Sequence, residues 1–344
     1  MDVKEQVKLE TNSELLTVSP SPHAHRKMST TSLMKDVLIA LAPATIWGIY
    51  VYSQYTDYGW KAALILLLST VSAVVFELLT QLVLRRPVTI ADCSAAVTGL
   101  LLGLNLSPSV PWYVPIVGAA FAIILVKQIF GGLGKNIMNP ALAARVFLML
   151  AWPQDMASFP TQVDAVASAT PLATLKTGAL PEGIDLLDLF LGKSGGCIGE
   201  ISVLMLLIGG IYLLCRRVIR WHIPVAMIGT VALITFLFPL PLDNALKATL
   251  AERAFFMAAS LCSGGLMIGA FFMATDYVTS PVTNWGRIIY GVGCGLIVIL
   301  IRYFSNSPEG VSYAILIMNA LVWYLDMATK PRVYGKARRE KKKA

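Results

Sequence analysis

Charge is what this sequence lacks most. Only 14% of its 344 residues are Asp, Glu, Lys or Arg, against about 25% in a soluble globular domain. That shortage, with 56% hydrophobic residues and a mean hydropathy of +0.68, excludes an ordinary water-soluble fold. Cysteine is also scarce. Cys93, Cys197, Cys215, Cys262 and Cys294 form no Cys-x-x-Cys pair and show no regular spacing, which argues against an iron–sulfur cluster carried by this chain alone. They read as small apolar packing residues. Cys93 and Cys262, each followed by Ser inside an apolar segment, also remain open to ligating a metal together with a partner chain. No glycine-rich nicotinamide fingerprint is present. The first apolar stretch begins near Val37, too deep for an ordinary cleavable signal peptide. The net charge of +8 does not imply a nucleic-acid partner, because eight Lys or Arg crowd into Lys330–Lys343, just past the last apolar run. A basic run beside a membrane helix is a topology and headgroup signal.

What is present is a succession of ten apolar segments: Val37–Tyr55, Ala62–Leu84, Ala91–Leu106, Trp112–Phe130, Pro140–Trp152, Ile198–Cys215, Ile223–Leu240, Ala254–Ala274, Ile288–Tyr303 and Val311–Leu325. They predict an all-α integral membrane protein of about ten transmembrane helices. A full span needs about 20 apolar residues; the third and fifth fall short, the usual mark of broken helices lining a site. With the N-terminus inside, 21 of the 28 Lys and Arg fall in the tails or the inside connections, among them Arg85, Arg86, Lys127, Lys135, Arg216, Arg217, Arg220 and Arg287. The positive-inside rule therefore predicts a multi-pass protein with both termini cytoplasmic. One long, acidic connection, residues 153–196, faces outward and divides the chain into two five-helix halves, residues 37–152 and 197–328. These are flanked by a cytoplasmic N-terminal segment, 1–36, and a basic tail, 329–344. An odd helix number per half has the parity of an inverted five-plus-five repeat.

The outer loop holds Asp164-Ala-Val-Ala-Ser-Ala-Thr-Pro-Leu-Ala173. Its plain reading is a small-residue turn. Its functional reading is that small neighbours leave the Thr170 hydroxyl accessible to esterification by a phosphate, with Pro171 fixing its direction. Ser168-Ala-Thr-Pro-Leu172 resembles the flavin-attachment motif of the Rnf D subunit and its homologue the Nqr B subunit, found in ion-translocating respiratory oxidoreductases. The likeness extends to Gly131-Gly-Leu-Gly-Lys-Asn-Ile-Met-Asn-Pro-Ala-Leu-Ala-Ala-Arg145 and Phe272-Met-Ala-Thr-Asp-Tyr277, and covers Leu33 to about Arg332. The resemblance implies FMN joined by a phosphoester to Thr170, with Ser168, Ala169, Pro171 and Leu172 around it, attached by a separate flavin transferase. It further implies a second, noncovalent riboflavin nearer the cytoplasmic side. Lys176 is open to two readings, a solvated loop lysine or a partner of phosphate or reduced flavin.

Charge at membrane depth costs at least about 2.5–3.5 kcal/mol and marks a functional candidate. Asp92, Asp276 and Asp326 lie near the cytoplasmic boundary and Arg302 near the outer one. Glu77, eight residues before Arg85, sits about 12 Å deeper along a helix; it is the candidate for a cation route. Arg145, past a Gly-rich break, is the candidate for holding an anionic cofactor group or anchoring a loop. The broken stretches Gly131–Pro140 and Thr275–Pro281 expose backbone groups that lipid cannot satisfy. They bond each other or water, or they enclose the second flavin or meet partner chains, with Asn136, Asn139, Thr279 and Ser280 as polar contacts. The expected role is a membrane component of an Rnf-type complex in a bacterial or archaeal plasma membrane. It would carry electrons through covalent FMN between ferredoxin and NAD+, coupled to Na+ or H+ movement, with clusters and nicotinamide site on other Rnf-type subunits. The rival is a secondary transporter or channel of inverted-repeat type without redox function.

Overall fold

The computed structural model describes residues 29–54, 58–159, 172, 175, 186–192, 196–240, 249–305 and 310–331. Among these, four helices are long and apolar enough to cross a membrane: α1 (Thr30–Ser53), α2 (Gly59–Val83), α12 (Asn284–Phe304) and α13 (Val311–Ala328). A fifth span is bent, with α10 (Leu250–Cys262) meeting α11 (Leu266–Ile268) and a short π-helix (Gly269–Met273) at 64°. Five shorter apolar helices complete the described set: α3 (Ser94–Leu104), α4 (Tyr113–Ala120) continued by a π-helix over Phe121–Gln128, α5 (Pro140–Ala151), α8 (Val203–Cys215) and α9 (His222–Leu237). The short helices α6 (Pro153–Ala157) and α7 (Leu186–Leu191) lie in the long connection. The chain is a multi-pass membrane protein. Large apolar side chains such as Val83, Leu150, Val282 and Phe304 are more than 70% exposed on its flanks, as a lipid-facing surface requires.

Each half repeats one neighbour pattern. In the first, α2 packs against α3 and α4; in the second, α9 packs against α10 and α12, while α1 and α8 meet across the halves. The α1–α8 contact depends on a missing side chain. A Cβ on Gly209 would stand 2.1 Å from the Ala40 carbonyl oxygen, so backbones approach as closely as small-residue membrane interfaces allow. At one end of this pair Arg216 bonds the Asp36 carboxylate at 3.3 Å, and Tyr212 donates to it at 3.1 Å.

Two expected segments are corrected. The sixth begins at Val203 rather than Ile198, because Cys197–Ser202 is not helical. That stretch lies against the end of α3, where the Ile198 and Gly199 amides donate to the Leu106 and Leu104 carbonyls at 3.0 and 2.7 Å. The ladder supplies the pairing that apolar surroundings cannot. The eighth segment, expected to be continuous over Ala254–Ala274, breaks at Ser263-Gly264-Gly265. Gly264 there has φ +71°, where a side chain would be strained.

Candidate cofactor cavity and buried ion pairs

A cavity with an open mouth lies at the end where α1 begins and α8 finishes. Both broken stretches line it: Leu133, Asn136, Asn139 and Pro140 from one, Thr275, Asp276, Tyr277 and Val278 from the other. Its walls are apolar, with Val97 and Leu101 of α3 and Phe271 and Phe272 of the π-helix after α11. Polar groups interrupt these walls: Ser94, the first residue of α3, stands beside Lys127, and Thr98, Asn136, Asn139, Thr275 and Asp276 also line the cavity. Asn139 caps α5, accepting from the Ala141 and Leu142 amides at 3.0 and 3.4 Å ahead of Pro140. The Asn136 Oδ1 is buried with no partner. Burial pushes the Asp276 carboxyl up, while hydrogen bonds from Thr279 and the Val278 and Tyr277 amides pull it down.

The broken stretches are also bound to one another. Asn139 Nδ2 donates to the Met273 carbonyl at 3.3 Å. The Asn319 amide of α13, oriented to satisfy both sides, accepts from the Asn139 amide at 3.2 Å and donates to the Thr279 carbonyl at 3.1 Å. Thr279 Oγ1 donates to Asp276 at 3.1 Å, and the Ser280 amide to the Asp276 carbonyl at 3.1 Å. Of the four polar residues expected here, Asn136 and Asn139 line the cavity; Thr279 and Ser280 stand behind it, shaping the turn.

Glu77 is 1% exposed. Its Oε1 lies 2.6 Å from Lys127 Nζ and accepts from Gln128 Nε2 at 2.9 Å, while its Oε2 is buried without a partner. Lys127 Nζ also donates to Ser94 Oγ at 2.6 Å, and Ser94 donates to Asp92 Oδ1 at 2.7 Å. The place of Lys127 in the sequence suggests a hydrated charge of an inside connection; it is instead 1% exposed, in the π-helix that extends α4. No local signal marks it, since its carboxylate partner is 50 residues away in the chain. The π-helix is a structural cue, a distortion frequent at functional sites.

Arg145 does not reach the cavity. Its guanidinium donates to Glu200 Oε1 at 3.2 Å, to Cys197 Sγ at 3.3 Å and to Asn105 Oδ1. It thus ties the non-helical entry of the second half to α3 and α5. Arg302 caps the bend in the fifth span, donating to the Ser260 and Ser263 carbonyls at 2.8 and 3.1 Å. Ser168, Ala169, Thr170 and Pro171 lie outside the described residues. Leu172 and Leu175 are described: they are buried with Leu189, Phe256 and Ala259 in a small apolar cluster beside Arg302 and Tyr303. That cluster fixes the downstream end of the motif to α10.

The family model described as NQR2, RnfD, RnfE family matches residues 17–335. The D subunit of the Na(+)-translocating ferredoxin:NAD(+) oxidoreductase complex of Acetobacterium woodii is 46% identical, covering 93% of this chain and 95% of that protein. Its counterpart in the proton-translocating ferredoxin:NAD(+) oxidoreductase complex of Clostridium ljungdahlii is 39% identical over 94% and 97% of the two chains. The corresponding protein of an ion-translocating oxidoreductase complex of Stutzerimonas stutzeri is 37% identical over 92% and 95%. On a match spanning nearly its whole length, with full-length relatives at this identity, the chain belongs to the NQR2, RnfD, RnfE family.

Proposed function

We propose that this chain is the D-type membrane component of an Rnf-type ferredoxin:NAD+ oxidoreductase, passing electrons through flavin in step with Na+ or H+ movement. The observation that carries the redox reading is the cavity between the two broken stretches. Aromatic and aliphatic walls interrupted by a few polar groups suit a flat heteroaromatic ring, and the orphaned Asn136 Oδ1 offers an acceptor to a ring N–H. Lys127, Ser94 and Asn136 would hold the polar edge of a noncovalent riboflavin there. FMN belongs at Thr170, in the outward loop, and rests on the Ser168–Leu172 motif and on the burial of Leu172. Bound flavins supply the electron-carrying chemistry; the chain supplies position, exclusion of water and local charge. Both termini are cytoplasmic in this reading, ferredoxin and NAD+ sites belong to partner subunits, and a flavin transferase loads Thr170.

Thr170→Val keeps the side-chain shape and removes only the hydroxyl. Membrane insertion should survive, while flavin fluorescence that persists after denaturation should vanish and electron transfer through the complex should stop. Mass spectrometry of the Asp164–Lys176 peptide should show FMN minus water. A wild-type peptide without that addition, from cells expressing the flavin transferase, refutes the assignment.

A further inference from the structure

Lys127 touches two different worlds. Its Nζ lies 2.6 Å from Ser94 Oγ on the cavity wall and 2.6 Å from Glu77 Oε1 in the packed interior behind it. Asp92 Oδ1 accepts the Ser94 proton at 2.7 Å, so the hydroxyl presents a lone pair to the ammonium. Glu77 does not depend on Lys127 alone for its place, since Gln128 donates to the same oxygen at 2.9 Å and Gln81 at 3.5 Å. Its second oxygen is buried and unpaired. A carboxylate oxygen with no donor in so dry a place is unusual, and a bound cation or proton would satisfy it. The ammonium is therefore shared between the cavity wall and a carboxylate with one unpaired oxygen.

We propose that Lys127 is the charge link between the cavity and Glu77. An anionic group in the cavity beside Ser94 draws Nζ toward itself, and Glu77, partly released, takes up one monovalent cation at Oε2. The charges balance: one negative charge gained in the cavity is matched by one positive charge gained at Glu77. A short shift of a flexible lysine stem suffices, because both partners are already within hydrogen-bond distance. The inference rests on the reading of the cavity as a flavin site, and names the residue through which that site would speak to the ion.

The test uses the purified complex in proteoliposomes, with ions moved per electron read by 22Na+ uptake and by a pH dye in parallel, and acid-released flavin counted per covalent flavin. Lys127→Met alone would strand a buried carboxylate, so Lys127→Met/Glu77→Gln, which removes both charges, is compared with Glu77→Gln and Lys127→Arg. Glu77→Gln should retain the noncovalent flavin but move at least tenfold fewer ions per electron. The double variant should show the same uncoupling and also lose at least tenfold in retained flavin. Lys127→Arg should keep most of both. A double variant that holds flavin as well as Glu77→Gln does, or either Glu77 variant pumping at the wild-type ratio, overturns the proposal. A wild-type complex with no acid-releasable flavin removes the flavin reading instead. The ions per electron of Glu77→Gln then still decide whether Glu77 couples to the ion.

Discussion

Replacing Arg145 with Met should destabilise the chain severely without emptying the proposed flavin site. Arg145 and Glu200 are 3% and 4% exposed, 3.2 Å apart, and Asn105 and Cys197 complete the guanidinium's surroundings. Removing one partner of a buried pair costs about 3–5 kcal/mol, because the other is left charged and unpaired. The Asn105 carbonyl loses a donor as well, a loss of about 1–3 kcal/mol that overlaps the first rather than adding to it. We expect about 4 kcal/mol for Arg145→Met, read by reversible unfolding of the full chain in mixed micelles. Arg145→Met/Glu200→Gln, in which no charge is stranded, should recover at least about 2 kcal/mol of this. The proposed covalent flavin, counted per folded chain, should stay at the wild-type level, since every named partner of the guanidinium is a protein group. A cost below about 1 kcal/mol for the single variant, or a double variant no better than the single, refutes the pin. Loss of flavin from a variant of wild-type stability would return Arg145 to the cofactor.

Two glycines should respond in opposite directions. Gly209→Ala, whose Cβ would meet the Ala40 carbonyl at 2.1 Å, should lower stability by about 1–3 kcal/mol as α1 and α8 are forced apart. Gly229→Ala in α9, with nothing within 4 Å, should be neutral or stabilising by up to about 1 kcal/mol; equal effects at both positions in thermal melts would reject the close-approach argument. A cysteine introduced near Gly183 should react with an impermeant reagent in intact cells and one near Lys341 should not, and the reverse pattern would invert the assigned orientation.

The all-helical membrane character and the family motifs are legible in the sequence because both are local. Hydropathy accumulates along a single helix, and a motif such as Ser168–Leu172 is read residue by residue. Even the bend in the fifth span has a local sign, the Ser263-Gly264-Gly265 run inside an apolar stretch. Glu77 is recognisable for the same reason, as a charge in the middle of an otherwise apolar helix. Its partner is not. Lys127 ends an apolar segment, as a topology lysine does, and only the packing of α2 against α3 and the π-helix brings its ammonium to a carboxylate 50 residues earlier. Arg145 shows the same limit from the other side. Its place in the sequence leaves an anionic group and a loop anchor both open, and only the fold brings Glu200 and Cys197 to it from the far side of the long loop. In an apolar medium a charge must find its counter-charge, but the pairing is made between helices, and hydropathy carries no record of which helices meet.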